Sequence, residues 1–208
     1  MQKNLYSLPP PPIHFLDLER RFRQGQFLPP PPPPPFESET YVNTVRQTIQ
    51  GVEHTFEIHV YNSEYILNTP RTDIIELLRE CYPYDPHFIP NSLIYALFDT
   101  QTHNTVGMFV ITPERPDPIP VYLWDSAKPS FYVYDVCTHP HFRGFKLQEL
   151  LMRSAFDHLK DQHAQINIYL EVLSNNVGAI RLYNRLGFVV LKEVIEKWKS
   201  SAIMRLIV

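Results

Sequence analysis

The chain of 208 residues carries only two cysteines, Cys81 and Cys137. That is too few for a disulfide framework and in keeping with a reducing compartment. Positive charge is not in excess either, since the formal net charge is -3, which removes any general electrostatic pull toward nucleic acid or an anionic membrane. No apolar run approaches the roughly 20 residues needed to span a bilayer. The opening "MQKNLYSLPPPP" has no apolar segment long enough for a signal peptide. Composition therefore predicts a soluble protein of the cytoplasm or nucleus.

What the chain has in plenty is proline, and it is concentrated. Of the 21 prolines, four fall at Pro9 to Pro12 and seven at Pro29 to Pro35. Such runs have fixed φ and no backbone donors, so they adopt extended polyproline II. Residues 1–50 read as a proline-rich extension, and 51–208 as the folded domain. "LPPPP" occurs twice, at Leu8 and Leu28, and could dock on a polyproline-recognising domain or serve as a stiff spacer.

Beyond the extension, "VEHTFEIHVY" alternates like a half-buried strand, and "TPRTDIIELLRECYP" places Ile74, Leu77, Leu78 and Cys81 at helical spacing. Thr72 is the candidate N-cap and Pro83 the stop. "SLIYALFD" and "TVGMFVITP" read as a hairpin. "FYVYDVCT" is nearly apolar throughout and therefore a central strand. A helix from about Lys146 to Lys160 follows, then the strand "INIYLEV", then a short helix that Gly187 terminates in the left-handed conformation. "FVVLKEVIE" and "SAIMRLIV" close the chain as an antiparallel pair. The predicted fold is α/β: one mixed seven-stranded sheet with helices on both faces.

Two stretches carry chemistry. In "CTHPHFRGFKLQELL" a central strand runs through Arg143-Gly144 into a helix N-terminus, where free N–H groups and the helix dipole favour an anion such as phosphate. Arg143 and Lys146 add charge-assisted donors; an ordinary turn with solvated basic residues reads equally well. In "LEVLSNNVGAIRLYNRLGF" the strand alternation sets Asn167, Tyr169 and Glu171 on the face opposite Ile168, Leu170 and Val172. A carboxylate on so apolar a strand is partly desolvated, which suits a general base. Tyr183 shares the inward stripe of the next helix with Ala179 and Leu186, so its hydroxyl needs a partner or a task. The bland alternatives are an edge-exposed Glu171 and a core Tyr183 bonded to a backbone carbonyl.

Together these stretches resemble the GCN5-related N-acetyltransferase (GNAT) superfamily. The first matches the Val-x-Pro-x-x-Arg-Gly-x-Gly-x-Gly/Ala signature. The second matches Asn-x-x-Ala-x-x-Leu-Tyr-x-x-x-Gly-Phe at Asn176, Ala179, Leu182, Tyr183, Gly187 and Phe188. The resemblance covers residues 52–208 and is nearest to the branch acting on protein N-terminal amines, where a "LEVRxSN"-like run carries a base at the position of Glu171. It implies transfer of an acetyl group from acetyl-CoA to a primary amine of a protein N-terminus, a lysine or a small molecule. Backbone groups of Val136 and Thr138 would hold the acetyl and pantetheine arm. The N–H groups of Arg143, Gly144 and the following residues through Lys146, Leu147 and Gln148 would hold the pyrophosphate. Asn176 would contact the pantetheine, Tyr183 would protonate the departing thiolate, and Glu171 would be the base.

The loop departs from the family pattern twice, with Lys146 at a usual glycine and Gln148 where Gly or Ala is normal. Lysine is acceptable there if φ is negative, because the main chain does the gripping; Gln148 is bulky where the helix nears the cofactor. Asp135 is the reserve base, and Tyr132 and Tyr134 are substrate-side or core groups. Cys137, His139 and His141 alternate as metal ligands can, but Pro140 interrupts the strand, so no metal is expected. The competing non-enzyme reading is an inactive adaptor of the same fold. The loops at 81–91 and 114–130 carry Asp85, Glu114, Asp117 and Asp125 against Arg115 and Lys128, a slight bias toward cationic acceptors.

Overall fold

The computed structural model describes residues 39–68, 71–83, 87–117, 119–195 and 199–208. Both proline runs, and the polyproline docking reading attached to them, lie outside the described residues. The strands are β1 (Glu39–Ile49), β2 (Val52–Asn62), β3 (Leu93–Asp99), β4 (Asn104–Thr112), β5 (Ser130–Thr138), β6 (Asn167–Leu173), β7 (Val189–Ile195) and β8 (Ser200–Ile207). The α-helices are α1 (Ser63–Asn68), α2 (Thr72–Cys81), α3 (Leu147–Gln162) and α4 (Val177–Leu186).

All eight strands form one sheet in the order β1-β2-β3-β4-β5-β6-β8-β7. Every neighbouring pair is antiparallel except β5 and β6. This parallel pair is joined by α3, as a crossover requires. Two hydrophobic layers result. Leu147, Leu151, Phe156 and Leu159 of α3 and Tyr183 and Leu186 of α4 pack with Phe109, Val133, Ile168 and Leu170 on one face. Ile74, Leu77 and Leu78 of α2 pack with Ile94, Met108 and Val110 on the other. Helices on both faces of a mixed sheet are what the element order predicts.

Among the described residues the sheet has eight strands rather than seven. The added strand, β1, lies at 39–49, inside the stretch read as extension. It is an edge strand of alternating intermediate and exposed residues, and only Ile49 is fully buried. Polar edge strands carry little hydrophobic signal, which is why it passed unread. Thr72 is also not the cap of α2. Arg71 holds the N-cap position without a side-chain cap bond, and its guanidinium grips both carboxylate oxygens of Asp73 at 2.9 Å.

The two cysteines, read as unlinked, are joined: Cys81 at the end of α2 is bonded to Cys137 of β5, with Cα atoms 6.0 Å apart. No helix among the described residues is long and apolar enough to cross a membrane.

One polar knot fixes α4 against α3. Glu149 accepts from Arg185 Nε at 2.7 Å and from Arg153 Nη2 at 3.0 Å. Arg185 holds the Glu149 carboxyl below the usual range, against partial desolvation and with help from Arg153. A carboxyl lowered on folding stabilises above the unfolded value of about 4.3, and that contribution is lost as pH falls through the folded value. Both arginines are about half-exposed, so solvent screens the pairs. Replacing Glu149 with Ala is expected to cost about 1 kcal/mol at pH 7. In urea titrations at several pH values the difference from the parent protein should close below about pH 4.

Candidate active site

The parallel pairing of β5 and β6 stops at Val133–Leu170. Both strands continue, β5 to Thr138 beside β4 and β6 to Leu173 beside β8. What drives them apart is local to β5. Tyr134 pairs with Val110 and Cys137 with Met108, so Asp135 and Val136 together face one residue, Phe109. That is a β-bulge, which bends and twists the strand carrying it. Asp135 takes a left-handed φ of 49°, a conformation that Asp tolerates better than most residues. The parted strands open a cleft of about 810 Å³.

Tyr132 to Thr138 of β5, Glu171 to Leu173 of β6 and the start of α3 line this cleft, as do Asn176, Tyr183 and Lys199. All the site residues expected from the sequence are among them: Glu171, Tyr183, Val136, Thr138, Arg143, Gly144, Lys146, Leu147, Gln148 and Asn176. Their surroundings modify several of the expectations.

Glu171 is not edge-exposed. Its side chain is 7% exposed, and Oε1 accepts from Lys199 Nζ at 2.7 Å and from Ser201 Oγ at 2.5 Å. Tyr183 is not satisfied by a backbone carbonyl: among the described residues its hydroxyl has no hydrogen-bond partner. Burial pushes the phenol well above its ordinary value, so it stays protonated. Glu171 belongs to the sheet face of Tyr132, Tyr169 and Ile203, whereas Tyr183 approaches with α4 from the opposite face. The two therefore address the gap from opposite sides. Tyr132, also in the cleft, is raised first by burial and then by the neighbouring Glu171 and Asp135. Tyr134 is a positioning group, its hydroxyl meeting Ile89 N at 3.1 Å and Ser92 Oγ at 3.0 Å.

The turn from β5 into α3 differs from the expected one in three respects. Arg143 N–H donates to Pro140 O at 3.3 Å, and its Nε donates to Thr138 O at 2.9 Å. Arg143 is thus part of the turn's own scaffold. The first intrahelical acceptor is Lys146 O, bonded by Leu150 N, which leaves the N–H groups of Leu147, Gln148 and Glu149 as the unpaired donors of the first turn. Lys146 sits at φ 59°, so the condition for an easy lysine is not met; this is a position that favours glycine. Gln148, finally, borders the cleft with its side-chain amide bonded to the protein. Its Oε1 accepts from Thr138 Oγ1 at 3.0 Å and its Nε2 donates to Met108 O at 3.3 Å. It ties α3 to the strands on either side of the bulge.

Other groups already occupy acceptors that the pantetheine arm was expected to use. Tyr82 Oη donates to Val136 O at 2.9 Å, and Arg143 takes Thr138 O. Asn176 caps α4 through Oδ1, accepting from Ala179 N at 3.1 Å. Residues missed in the sequence are Tyr82, Lys199 and Ser201. Ser201 shares a face with Ile203 by strand alternation and was legible; Lys199 reads only as part of the polar turn "KWKSS". In the loops, Asp125 Oδ1 accepts from Ala127 N and Lys128 Nζ donates to Gln165 Oε1, so both serve the loop rather than the cleft. Asp85 lies outside the described residues. Among the described residues no group of three or more His, Cys, Asp or Glu side chains is arranged to hold a metal ion.

The site is thus a cleft in a mixed sheet that splits at its parallel pair, with the first turn of α3 at its rim and Glu171 and Tyr183 reaching it from opposite faces. The model of the Acetyltransferase (GNAT) family matches residues 59–188, and the chain belongs to that family. It is 38% identical over 135 residues, 64% of this chain and 77% of the relative, to the Bacillus subtilis subsp. natto (strain BEST195) protein named "Probable spermine N(1)-acetyltransferase". Its fold is similar to Arabidopsis thaliana NAA60 solved with a bisubstrate analogue (TM-score 0.54, 14% identity, 73% of this chain and 99% of that one). The ribosomal-protein-S18-alanine N-acetyltransferase of Escherichia coli is similar to the same degree (TM-score 0.54, 15% identity, 73% and 92%). The protein is an acetyltransferase of this family.

The turn's backbone supplies a direct test. No atom lies within 4 Å of where a Cβ at Gly144 would sit, and its φ is +88°. Gly144→Ala should therefore cost about 1 kcal/mol through backbone strain alone, while Lys146→Gly should be neutral or stabilising by up to about 1 kcal/mol. Thermal melts of the two variants check the pair.

Proposed function

We propose that the protein transfers the acetyl group of acetyl-CoA to a cationic primary amine by direct attack on the thioester. The observation that carries this reading is that Glu171 already holds a primary ammonium, Lys199 Nζ at 2.7 Å, inside the cleft. A carboxylate so placed can both recruit an acceptor ammonium and remove its proton, which must happen before the nitrogen has a lone pair to attack with.

Acetyl-CoA supplies the activated acyl group. The N–H groups of Leu147, Gln148 and Glu149 and the Lys146 ammonium suit its pyrophosphate. The β5 backbone beside the bulge suits the thioester and pantetheine arm, and Asn176 suits the pantetheine. Tyr183 is the acid. Burial that raises a phenol also raises a thiol, so the hydroxyl can still serve as proton donor to a leaving thiolate within the same apolar cleft. Glu171 is the base and Asp135 its reserve. Positioning across the gap supplies much of the remaining rate. Polyamines and peptide N-termini are the acceptors to try first, the former from the 38%-identical relative and the latter from the "LEV…SNN" run.

Free thiol released from acetyl-CoA is measured against a panel of spermine, spermidine and short peptides. Turnover with at least one cationic amine is expected; none with any amine, despite CoA binding, would remove the reading. Tyr183→Phe should lower kcat by roughly 100-fold or more with little change in CoA affinity. An unchanged kcat takes Tyr183 out of the acid role.

A further inference from the structure

Lys199 stands immediately before β8, and its place in the cleft is not explained by packing. Its side chain is 31% exposed, yet its ammonium turns inward to Glu171, whose side chain is 7% exposed. An ordinary surface lysine keeps its ammonium in water and lays only its stem along the protein. Here the head is at the base, on the acceptor side of the gap. Three features of an acceptor are met by a residue of the chain itself: a primary amine, held at direct proton-transfer distance from the candidate base, in the cleft that Tyr183 enters from the other face.

We propose that Lys199 is an acetylation site of the enzyme itself, modified in cis, and that its modification opens the cleft to external amines. The inference rests on the transfer reading above. Glu171 takes a proton from Nζ, and the nitrogen lone pair forms a bond to the thioester carbonyl carbon. The carbon–sulfur bond breaks, CoA leaves as its thiolate, and Tyr183 gives that thiolate a proton. Loss of the second nitrogen proton completes the amide. The balance is lysine ammonium plus acetyl-CoA going to N-acetyl-lysine, CoA thiol and one proton, with no other reactant.

The consequence is electrostatic. An unmodified Lys199 occupies the carboxylate that an incoming ammonium needs, so external acceptors compete with an internal one at high effective concentration. N-acetyl-lysine carries no charge and cannot form that ion pair. Glu171 then keeps Ser201 Oγ as a partner and is open to another cation. The enzyme would acetylate itself once and thereafter turn over external amines.

The test uses the full chain, purified and incubated with acetyl-CoA bearing a carbon-13-labelled acetyl group, and locates the label by peptide mass spectrometry. One label is expected on Lys199, formed at a rate independent of protein concentration. Glu171→Gln should slow it on the order of 100-fold, and persistence at full rate would mark spontaneous acetylation and overturn the proposal. Labelling that accelerates with protein concentration would overturn the cis route. In parallel, thiol release with external amines is compared for Lys199→Arg, which keeps the cation but not the nucleophile, and Lys199→Gln, which removes the charge. Lys199→Gln should lower KM for the amine by roughly tenfold relative to Lys199→Arg; equal values would overturn the gating. No label on Lys199 alongside normal turnover of an external amine defeats this inference alone. Loss of both defeats the transfer reading with it.

Discussion

The site depends on the premature end of one ladder. β5 and β6 pair for four residues and part after Val133–Leu170, because the bulge at Asp135 and Val136 bends β5 toward β4. Backbone donors and acceptors inside a sheet are normally spent on neighbouring strands. At the bulge the carbonyls of Val136 and Thr138 are instead taken by Tyr82 and Arg143, beside the gap. Everything else at the site is arranged around that gap. α3 begins at its rim, α4 delivers a phenol from one face, and β6 presents a carboxylate from the other.

Several contacts serve to keep the gap in shape. Gln148 bridges Thr138 and Met108 across the bulged pair, and Glu149 clamps α4 to α3 through Arg185. On the opposite face, the Cys81–Cys137 bond and the Tyr82 hydroxyl on Val136 hold the end of α2 against β5. These groups form a frame of polar and covalent ties around an opening that apolar packing alone would tend to close. Tyr82 and Arg143 likewise hold the carbonyls of Val136 and Thr138 at the edge of the gap.

Most of the fold was legible because its strands and helices carry strong periodicity, as in the apolar β5 and the inward stripe of α4. β1 was not legible, since an edge strand with one buried residue has little to distinguish it from loop. The candidate site was legible where local chemistry is decisive: the Arg-Gly turn into α3, Glu171 on an apolar strand, Tyr183 on an inward stripe. It was not legible where long-range pairing decides. Nothing local brings Lys199 to Glu171 across 28 residues, or Cys81 to Cys137 across 56. The sign of φ at Lys146 likewise depends on how the turn meets the helix, which composition does not reveal.

The central claim is that the gap between β5 and β6 receives the acyl donor. It is tested most directly by a crystal structure of the protein with CoA. The account predicts the pantetheine arm lying between Val136 of β5 and Val172 of β6, its pyrophosphate at the N–H groups of Leu147 to Glu149, and its sulfur nearer to Tyr183 than to any other ionisable side chain. CoA bound elsewhere, with the gap closed by a continued β5–β6 ladder, would contradict it.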